Sequence, residues 1–247
     1  MKCLHLSIQI YSSFMINTFF ESELHKSIKI LYAHTENGQM EVEVEGKICD
    51  IVTDKRIIEI QTGSLDKLKN KLEFLLPTYS VTVVHPIVTK KYIKTTFLDG
   101  KNTQRISPKK QNIYHIFKEL TALYPFLLHP NFTLEIIETE IIEERKKITP
   151  EEKKLVKNKK LRKDWIKTGK QLKKIGKKYT FASAADYINL LPKNLPLQFS
   201  SNHIKKITKE ANCMLWVLKK AQIIEVIGKE KNRYIYKIKG LPQEVAP

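Results

Sequence analysis

At 247 residues with 42% hydrophobic side chains, the chain is long enough for one large or two modest domains with real cores. Its formal net charge of +18 is unevenly placed: residues 145–178 hold 16 Lys/Arg against Glu151, Glu152 and Asp164, residues 179–247 carry +6, and residues 1–144 sum to −1. A uniform compositional bias toward lysine would not leave the first 144 residues neutral, so the field points to polyanionic partners, of which nucleic acid is the commonest. Cys3, Cys49 and Cys213 are scattered with no C-x-x-C pair, which argues against a disulfide framework or zinc site and for reduced thiols in the cytoplasm.

Met1 to Asn17 is mildly apolar but carries Lys2, His5 and Gln9. It is too short and polar for a membrane span, and no small-residue cleavage site follows. Met15 is an alternative start to Met1, because organised sequence begins only there. Phe19 to Ala33 has a helical stripe at Phe20, Leu24, Ile28 and Leu31. Glu41 to Val52 alternates with Gly46 at its centre and reads as a strand or hairpin, and Arg56 to Thr62 as another strand. Asp50 therefore lies on one strand and Glu59 and Gln61 on the next, joined by a tight turn at Thr53-Asp54-Lys55. Side chains two apart on a strand share a face, so Glu59 and Gln61 point together beside Asp50. That is a candidate divalent-cation site; the alternative is the wet face of an edge strand.

After Gly63, Ser64 is a reasonable cap for a helix from Leu65 to Leu76, with Asp66 in its first turn. Pro77 stops it. Tyr79 to His85 reads as a buried strand and Lys91 to Phe97 as a further strand. Asn112 to Leu128 is helical, and Phe132 to Ile142 is a strand, with a helical extension as the lesser option. Residues 143–178 read as a basic linker with one amphipathic helix, because Leu161, Trp165, Ile166 and Leu172 fall at near-helical intervals. Beyond it, Ala182 to Leu191, Asn202 to Ile207 and Thr208 to Ala221 are helical, and Ile223 to Ile227 and Arg233 to Ile238 are strands about a basic tip. Helices followed by such a hairpin make a winged helix-turn-helix pattern over residues 179–240.

The segment Asp50…Glu59-Ile60-Gln61, with the strand and helix order around it, resembles the PD-(D/E)xK or restriction-endonuclease-like superfamily, in which a strand pair presents an Asp and then Glu-x-Lys, with Gln in place of Lys in some branches. Recurring phrases, Glu59-Ile60-Gln61-Thr62, Leu68-Lys69-Asn70-Lys71-Leu72, Val84-His85-Pro86-Ile87, Ser107-Pro108-Lys109 and His129-Pro130-Asn131-Phe132, resemble an uncharacterised bacterial group joining such a domain to a winged helix. The resemblance implies an α/β fold, a mixed sheet flanked by helices over 19–142, and a metal-dependent DNA endonuclease using Mg²⁺ or Mn²⁺. It implies Asp50, Glu59 and the Ile60 carbonyl as metal ligands, with Glu23 as a further carboxylate from the upstream helix. Asp50, Glu59, Gln61 and Glu23 are then the catalytic set.

Gln61 brings no charge where the motif has lysine, so Lys69 or Lys71 would have to supply one, and both cannot face the site because residues two apart on a helix diverge. Candidate DNA contacts are Lys69, Lys109, Lys205, Lys206, Lys209 and Asn212, with Lys229, Lys231 and Arg233 on the wing. His85 and His129 read as structural, Ser107-Pro108-Lys109-Lys110 as a phosphate contact or an exposed turn, and Trp216 as core or a stacking residue. The expected partner is DNA, with homodimerisation left open and no membrane or nucleotide cofactor. Two other readings remain: a non-catalytic DNA-binding regulator with a degenerate nuclease fold, and a protein-docking module.

Overall fold

The structure is a computed structural model that describes residues 22–155 and 163–240. Expectations placed on Met1–Asn17, Phe19, Phe20, Cys3 and Leu161 lie outside those residues. The described chain opens with helix α1 (Glu23–Thr35), capped by Ser22, whose hydroxyl accepts from the His25 N–H at 3.3 Å. Its buried stripe is Leu24, Ile28 and Tyr32, spaced by four, as one helical face requires; Leu31, expected in that stripe, is 41% exposed.

Strands β1 (Gln39–Val44), β2 (Lys47–Val52) and β3 (Ile57–Ile60) follow as an antiparallel meander. The turn before β3 is closed by Thr53, whose hydroxyl accepts from the Arg56 N–H at 3.0 Å and donates to the Arg56 carbonyl at 2.9 Å. A 3-10 turn over Leu65–Leu68 leads into helix α2 (Lys69–Leu75), and the Ser64 side chain makes no cap bond there. Strand β4 (Val81–Thr96) then returns parallel to β3. The two strands read at 79–85 and 91–97 are thus one. Pro86 sits inside it without loss: Val84 accepts from the Gln61 N–H on that edge and Val88 donates to the Gln111 side chain, so the nitrogen of Pro86 faces a stretch that β3 no longer covers.

Strand β5 (Asn102–Ile106) pairs antiparallel with the far end of β4, helix α3 (Ile116–Leu123) follows, and β6 (Phe132–Lys147) lies parallel to β4 along its whole length. After the short helix α4 (Pro150–Leu155), strand β7 (Trp165–Phe181) closes the sheet antiparallel to β6. The order is β1-β2-β3-β4-β6-β7 with β5 on β4, an α/β architecture with a mixed sheet flanked by helices. One face is covered by α1, packing Leu24, Ile28 and Tyr32 against Ile51, Ile58, Val84, Ile137 and Ile141. The other face carries α2 and α3 over Ile57, Val83, Leu134 and Ile136.

Residues 165–181 are therefore not a solvated linker. β7 is a 17-residue strand of the sheet, and Leu172 and Ile175 pack on the α1 side of it. Three ladder irregularities against β6 break its two-residue alternation, which is why apolar residues three apart share a face and imitate a helix.

The remaining chain forms helices α5 (Ala184–Ile188), α6 (Ser201–Lys205) and α7 (Ala211–Lys220) and the hairpin β8 (Ile224–Glu230) and β9 (Arg233–Ile238), with Phe199 bridged to Tyr236 by 3.0 and 2.8 Å backbone bonds. This unit shares one hydrophobic core with the sheet domain, running from Ile57 through Phe117 to Leu218 and Ile224. The Cys213 thiol donates to the Phe117 carbonyl at 3.2 Å, Lys118 pairs with Glu210 at 3.0 Å, and Trp216 meets Tyr124 edge-on at 5.5 Å. Trp216 is nevertheless 40% exposed, so it is an edge residue of the unit, not core.

Candidate functional site

The antiparallel register Ile51↔Ile58 sets Asp50 on β2 across from Glu59 on β3. The two residues are cross-tied by backbone. The Asp50 N–H donates to Glu59 Oε1 at 3.3 Å, and the Ile60 N–H donates to Asp50 Oδ2 at 2.8 Å. Glu59 is only 3% exposed, and β3 is buried at every position between β2 and β4. The edge-strand alternative is thereby removed.

Burial and then the Asp50 charge push the Glu59 carboxyl up to about 7, against the pull of Lys71. Burial also acts upward on Asp50, but the His25 hydrogen bond and charge, the Ile60 N–H and the Lys29 charge outweigh it and hold Asp50 below the usual carboxylate range. The pair is thus split into one carboxyl that holds its proton to near neutrality and one that stays ionised.

Lys71 on α2 reaches the pair. Its ammonium lies 2.6 Å from Glu59 Oε1 and donates to the Ile48 carbonyl at 2.6 Å. Lys69 points away and pairs weakly with Glu73 at 3.9 Å, so of the two candidates Lys71 supplies the charge. α1 contributes His25, whose Nε2 is 3.4 Å from Asp50 Oδ2, and Lys29, which pairs with Glu41. Glu23 is exposed at the helix start and is not part of this cluster. The Leu24–Ile28 stripe fixes the rotation of α1, which carries 25 and 29 over Asp50 and turns 23 to solvent. Gln61 lines the same cleft as Asp50, His25 and Lys29, while its side-chain amide donates to the Ser64 carbonyl at 2.8 Å. His85 donates from Nδ1 to the Gln61 carbonyl at 2.7 Å, and burial lowers its pKa. A neutral imidazole anchoring the 61–64 loop is the structural role expected for it.

Among the described residues no group of three or more His, Cys, Asp or Glu converges as metal ligands. The two carboxylates that do meet, Asp50 and Glu59, suit in kind a hard cation that keeps several waters.

Two other predicted sets are placed as follows. Lys109 lines a second cleft on the other side of the 61–64 loop. Lys205, Lys206 and Lys209 line a groove facing Lys110, Asn112 and His115 of the sheet domain, not the outer face of α7. That outer face exposes Asn212 together with Trp216, Lys219 and Lys220; the last two were missed, although their spacing of three or four from 216 and seven or eight from 212 was readable. Lys229, Lys231 and Arg233 are exposed at the β8–β9 tip.

A family described as "Domain of unknown function (DUF8091)" matches residues 22–182. The chain belongs to that family. The matched segment runs from α1 to the end of β7, so the β2–β3 carboxylates and the second cleft lie inside the DUF8091 domain and the C-terminal helices and hairpin lie beyond it. The DUF8091 domain also takes in the basic strand once read as linker. An uncharacterized protein of Treponema pallidum (strain Nichols) is 38% identical over 124 residues, which is 49% of this chain and 49% of the relative. The chain thus spans about half the length of the curated relative it matches. No solved structure matches it. No helix among the described residues is long and apolar enough to cross a membrane.

Proposed function

We propose that this protein is a metal-dependent deoxyribonuclease of the PD-(D/E)xK kind, acting on DNA in the cytoplasm. The observation that carries the reading is the buried, cross-tied Asp50–Glu59 pair on a hairpin set between α1 and a parallel β4. Helix, three antiparallel strands, helix and parallel strand is the order that the sequence resemblance implies. Supporting it, Lys71 brings a positive charge to the place where Gln61 has none.

Mg²⁺ or Mn²⁺ held by Asp50, Glu59 and the Ile60 carbonyl would polarise a phosphate oxygen and acidify a bound water. The chain's own residues do the rest. Asp50, kept ionised by His25 and the Ile60 N–H, is a standing anion. Glu59, whose proton burial holds to about 7, would give that proton up on serving as a ligand. Lys71 offers charge to the developing phosphorane once it is drawn off Glu59. Gln61, held by Ser64 and by its own carbonyl to His85, shapes the floor.

The C-terminal unit supports a DNA-holding role. Its order, three helices and a hairpin with Phe199 bridged to Tyr236, fits a winged helix, whose second helix of the turn would be α7. Asn212, Trp216, Lys219 and Lys220 would face the duplex and Lys229, Lys231 and Arg233 would flank it from the wing.

A second reading, a DNA-binding regulator with a degenerate nuclease site, is favoured by Lys71 sitting on Glu59 and by Glu23 standing outside the cluster. Incubating the protein with DNA in Mg²⁺ or Mn²⁺ separates them. Cleavage that disappears in Asp50→Ala and Glu59→Ala supports the nuclease, and no cleavage of single-stranded, duplex or branched DNA leaves the regulator.

A further inference from the structure

The β3–β4–β5 arrangement leaves an opening. β3 pairs with Val81–Val84 and β5 with Tyr92–Thr96 on the same edge of β4, and the stretch between is bordered by the 61–64 loop and by residues 107–111, which the Gln111 N–H ties to Val88 at 2.9 Å. A cleft of about 630 Å³ opens there. Thr62 and Gly63 line both this cleft and the one holding Asp50, while Lys110 and His115 line both this cleft and the groove beneath Lys205, Lys206 and Lys209. The three recesses share lining residues and follow one another from Asp50, with Glu59 buried behind it, to the C-terminal unit.

The central cleft is strongly unbalanced in charge. Lys91, Lys109, Lys110, Lys167 and Lys170 line it against Glu119 and Glu143. Glu143 is already saturated: Arg145 donates to it at 2.8 Å, and Lys167 and Lys91 lie at 3.0 and 3.4 Å. Burial alone would raise its carboxyl, but Arg145, Lys167 and Lys91 bring it down to about 2. Lys109, Lys110 and Lys170 form no ion pair with the described residues. Burial and then the charges of Lys167 and Lys91 depress Lys170, the condition that an incoming anion relieves. Loop lysines at 109 and 110 and strand lysines at 167 and 170 thus converge from separate parts of the chain on one recess. A recess of this volume is of small-ligand size, which suits the backbone of one strand better than the stacked rod of a duplex.

We infer that the lysine cleft between the 61–64 and 107–111 loops seats the phosphates of a single nucleic-acid strand and leads it past Thr62–Gly63 to Asp50 and Glu59. This rests on the nucleic-acid part of the proposed function and selects its substrate: an unpaired strand or single-stranded branch, with duplex held outside by the C-terminal unit.

The test is fluorescence anisotropy of the full chain in EDTA, where no cleavage occurs. The probes are a labelled single strand of about 20 nucleotides and the same sequence as duplex, each across a salt series. The wild type is expected to bind both, the duplex through the C-terminal unit and the single strand through the cleft. Lys109→Ala/Lys110→Ala/Lys170→Ala should weaken single-strand binding at least ~10-fold and flatten the slope of log K against log salt by about 2, at about 0.7 per lost phosphate contact. A charge-matched control in exposed residues that line none of the three recesses, Lys55→Ala/Lys101→Ala/Lys193→Ala, should change it less than about threefold. Lys109→Glu/Lys110→Glu repeats the test on exposed loop positions without touching β7. Equal losses in the cleft and control variants, wild-type single-strand binding by the cleft variants, or a loss of duplex binding in them as large as the loss of single-strand binding would each overturn the inference. Because no metal is present, a nuclease that proves inactive leaves this outcome unaffected.

Discussion

The carboxyl of Glu59 sets the pH behaviour of the candidate site. Its folded value of about 7 lies above the 4.5 of an unperturbed glutamate, so the folded protein binds that proton more tightly than the unfolded chain does. The stability this contributes is full below about 4.5 and is lost as pH rises through about 7. Glu59→Gln, which keeps the neutral shape, should therefore gain on the wild type by about 1–3 kcal/mol between pH 5 and pH 8, read from urea unfolding at the two values. Asp50 acts oppositely: its depressed value gives stability that is lost only as pH falls below the usual carboxylate range. The Glu59 midpoint near 7 belongs to the metal-free protein, because a bound cation favours the ionised carboxylate. Lys71→Ala removes the cation that opposes burial, so it should move that midpoint upward in urea unfolding carried out in EDTA, and with metal present it should lower the cleavage rate by roughly 10-fold or more. At this scale the sequence exposed Asp50 and Glu59 because strand alternation alone makes them neighbours. It did not separate Lys71 from Lys69, nor His25 from Glu23, since the rotation of α1 and α2 is set by what Leu24, Ile28, Leu72 and Leu75 bury against.

At the scale of elements, the β1–β2–β3 meander tolerates little at its entry. A Cβ on Gly38 would stand 2.3 Å from Ile51 Cγ2, whereas one on Gly63 meets nothing within 4 Å. Gly38→Ala should destabilise the fold by about 1–3 kcal/mol by forcing Ile51 off its packing under α1. Gly63→Ala should leave the thermal midpoint unchanged, which differential scanning would show side by side. β7 depends on its apolar side in the same way. Ile141 on β6, paired with Leu172 and 1% exposed, should lose about 2–5 kcal/mol on truncation to alanine, measured by chemical denaturation. Hairpins and helices with regular spacing were legible in the sequence. β7 was not, because its ladder irregularities put Leu172 and Ile175 on one face at a spacing of three, and because lysines crowd the exposed edge that a strand needs to keep from pairing with other chains.

For the whole molecule, the shared core has a consequence. Phe117, Leu120 and Leu123 of α3 lie in the same cluster as Met214, Leu215 and Leu218 of α7, so sheet domain and C-terminal unit should unfold together. The two tryptophans report on opposite ends: Trp165 stacks on Arg145 at 3.7 Å, and Trp216 sits against Tyr124. Fluorescence of Trp165→Phe and Trp216→Phe single variants should give denaturation midpoints that coincide, after correction for each variant's stability by circular dichroism. Separate midpoints would mean two independent units joined by a tether.

The sequence alone determined the regularly spaced elements, though not β7 or the unbroken length of β4, and the Asp50–Glu59 pair. Periodicity is a local property: alternation set the β2–β3 hairpin with Asp50 and Glu59 across from each other, four-residue spacing set α1, and the order of helices and hairpin after residue 183 was readable. Only the tertiary structure decided which charges meet. The long parallel pairing of β4 with β6 brought β7 into the sheet, and with it Lys167 and Lys170 to Lys109 across more than fifty residues of chain. It also turned Lys205, Lys206 and Lys209 toward the sheet domain. Electrostatic fields depend on distance in space, and no spacing along the chain records that a run of lysines read as a solvated linker is one wall of a cleft.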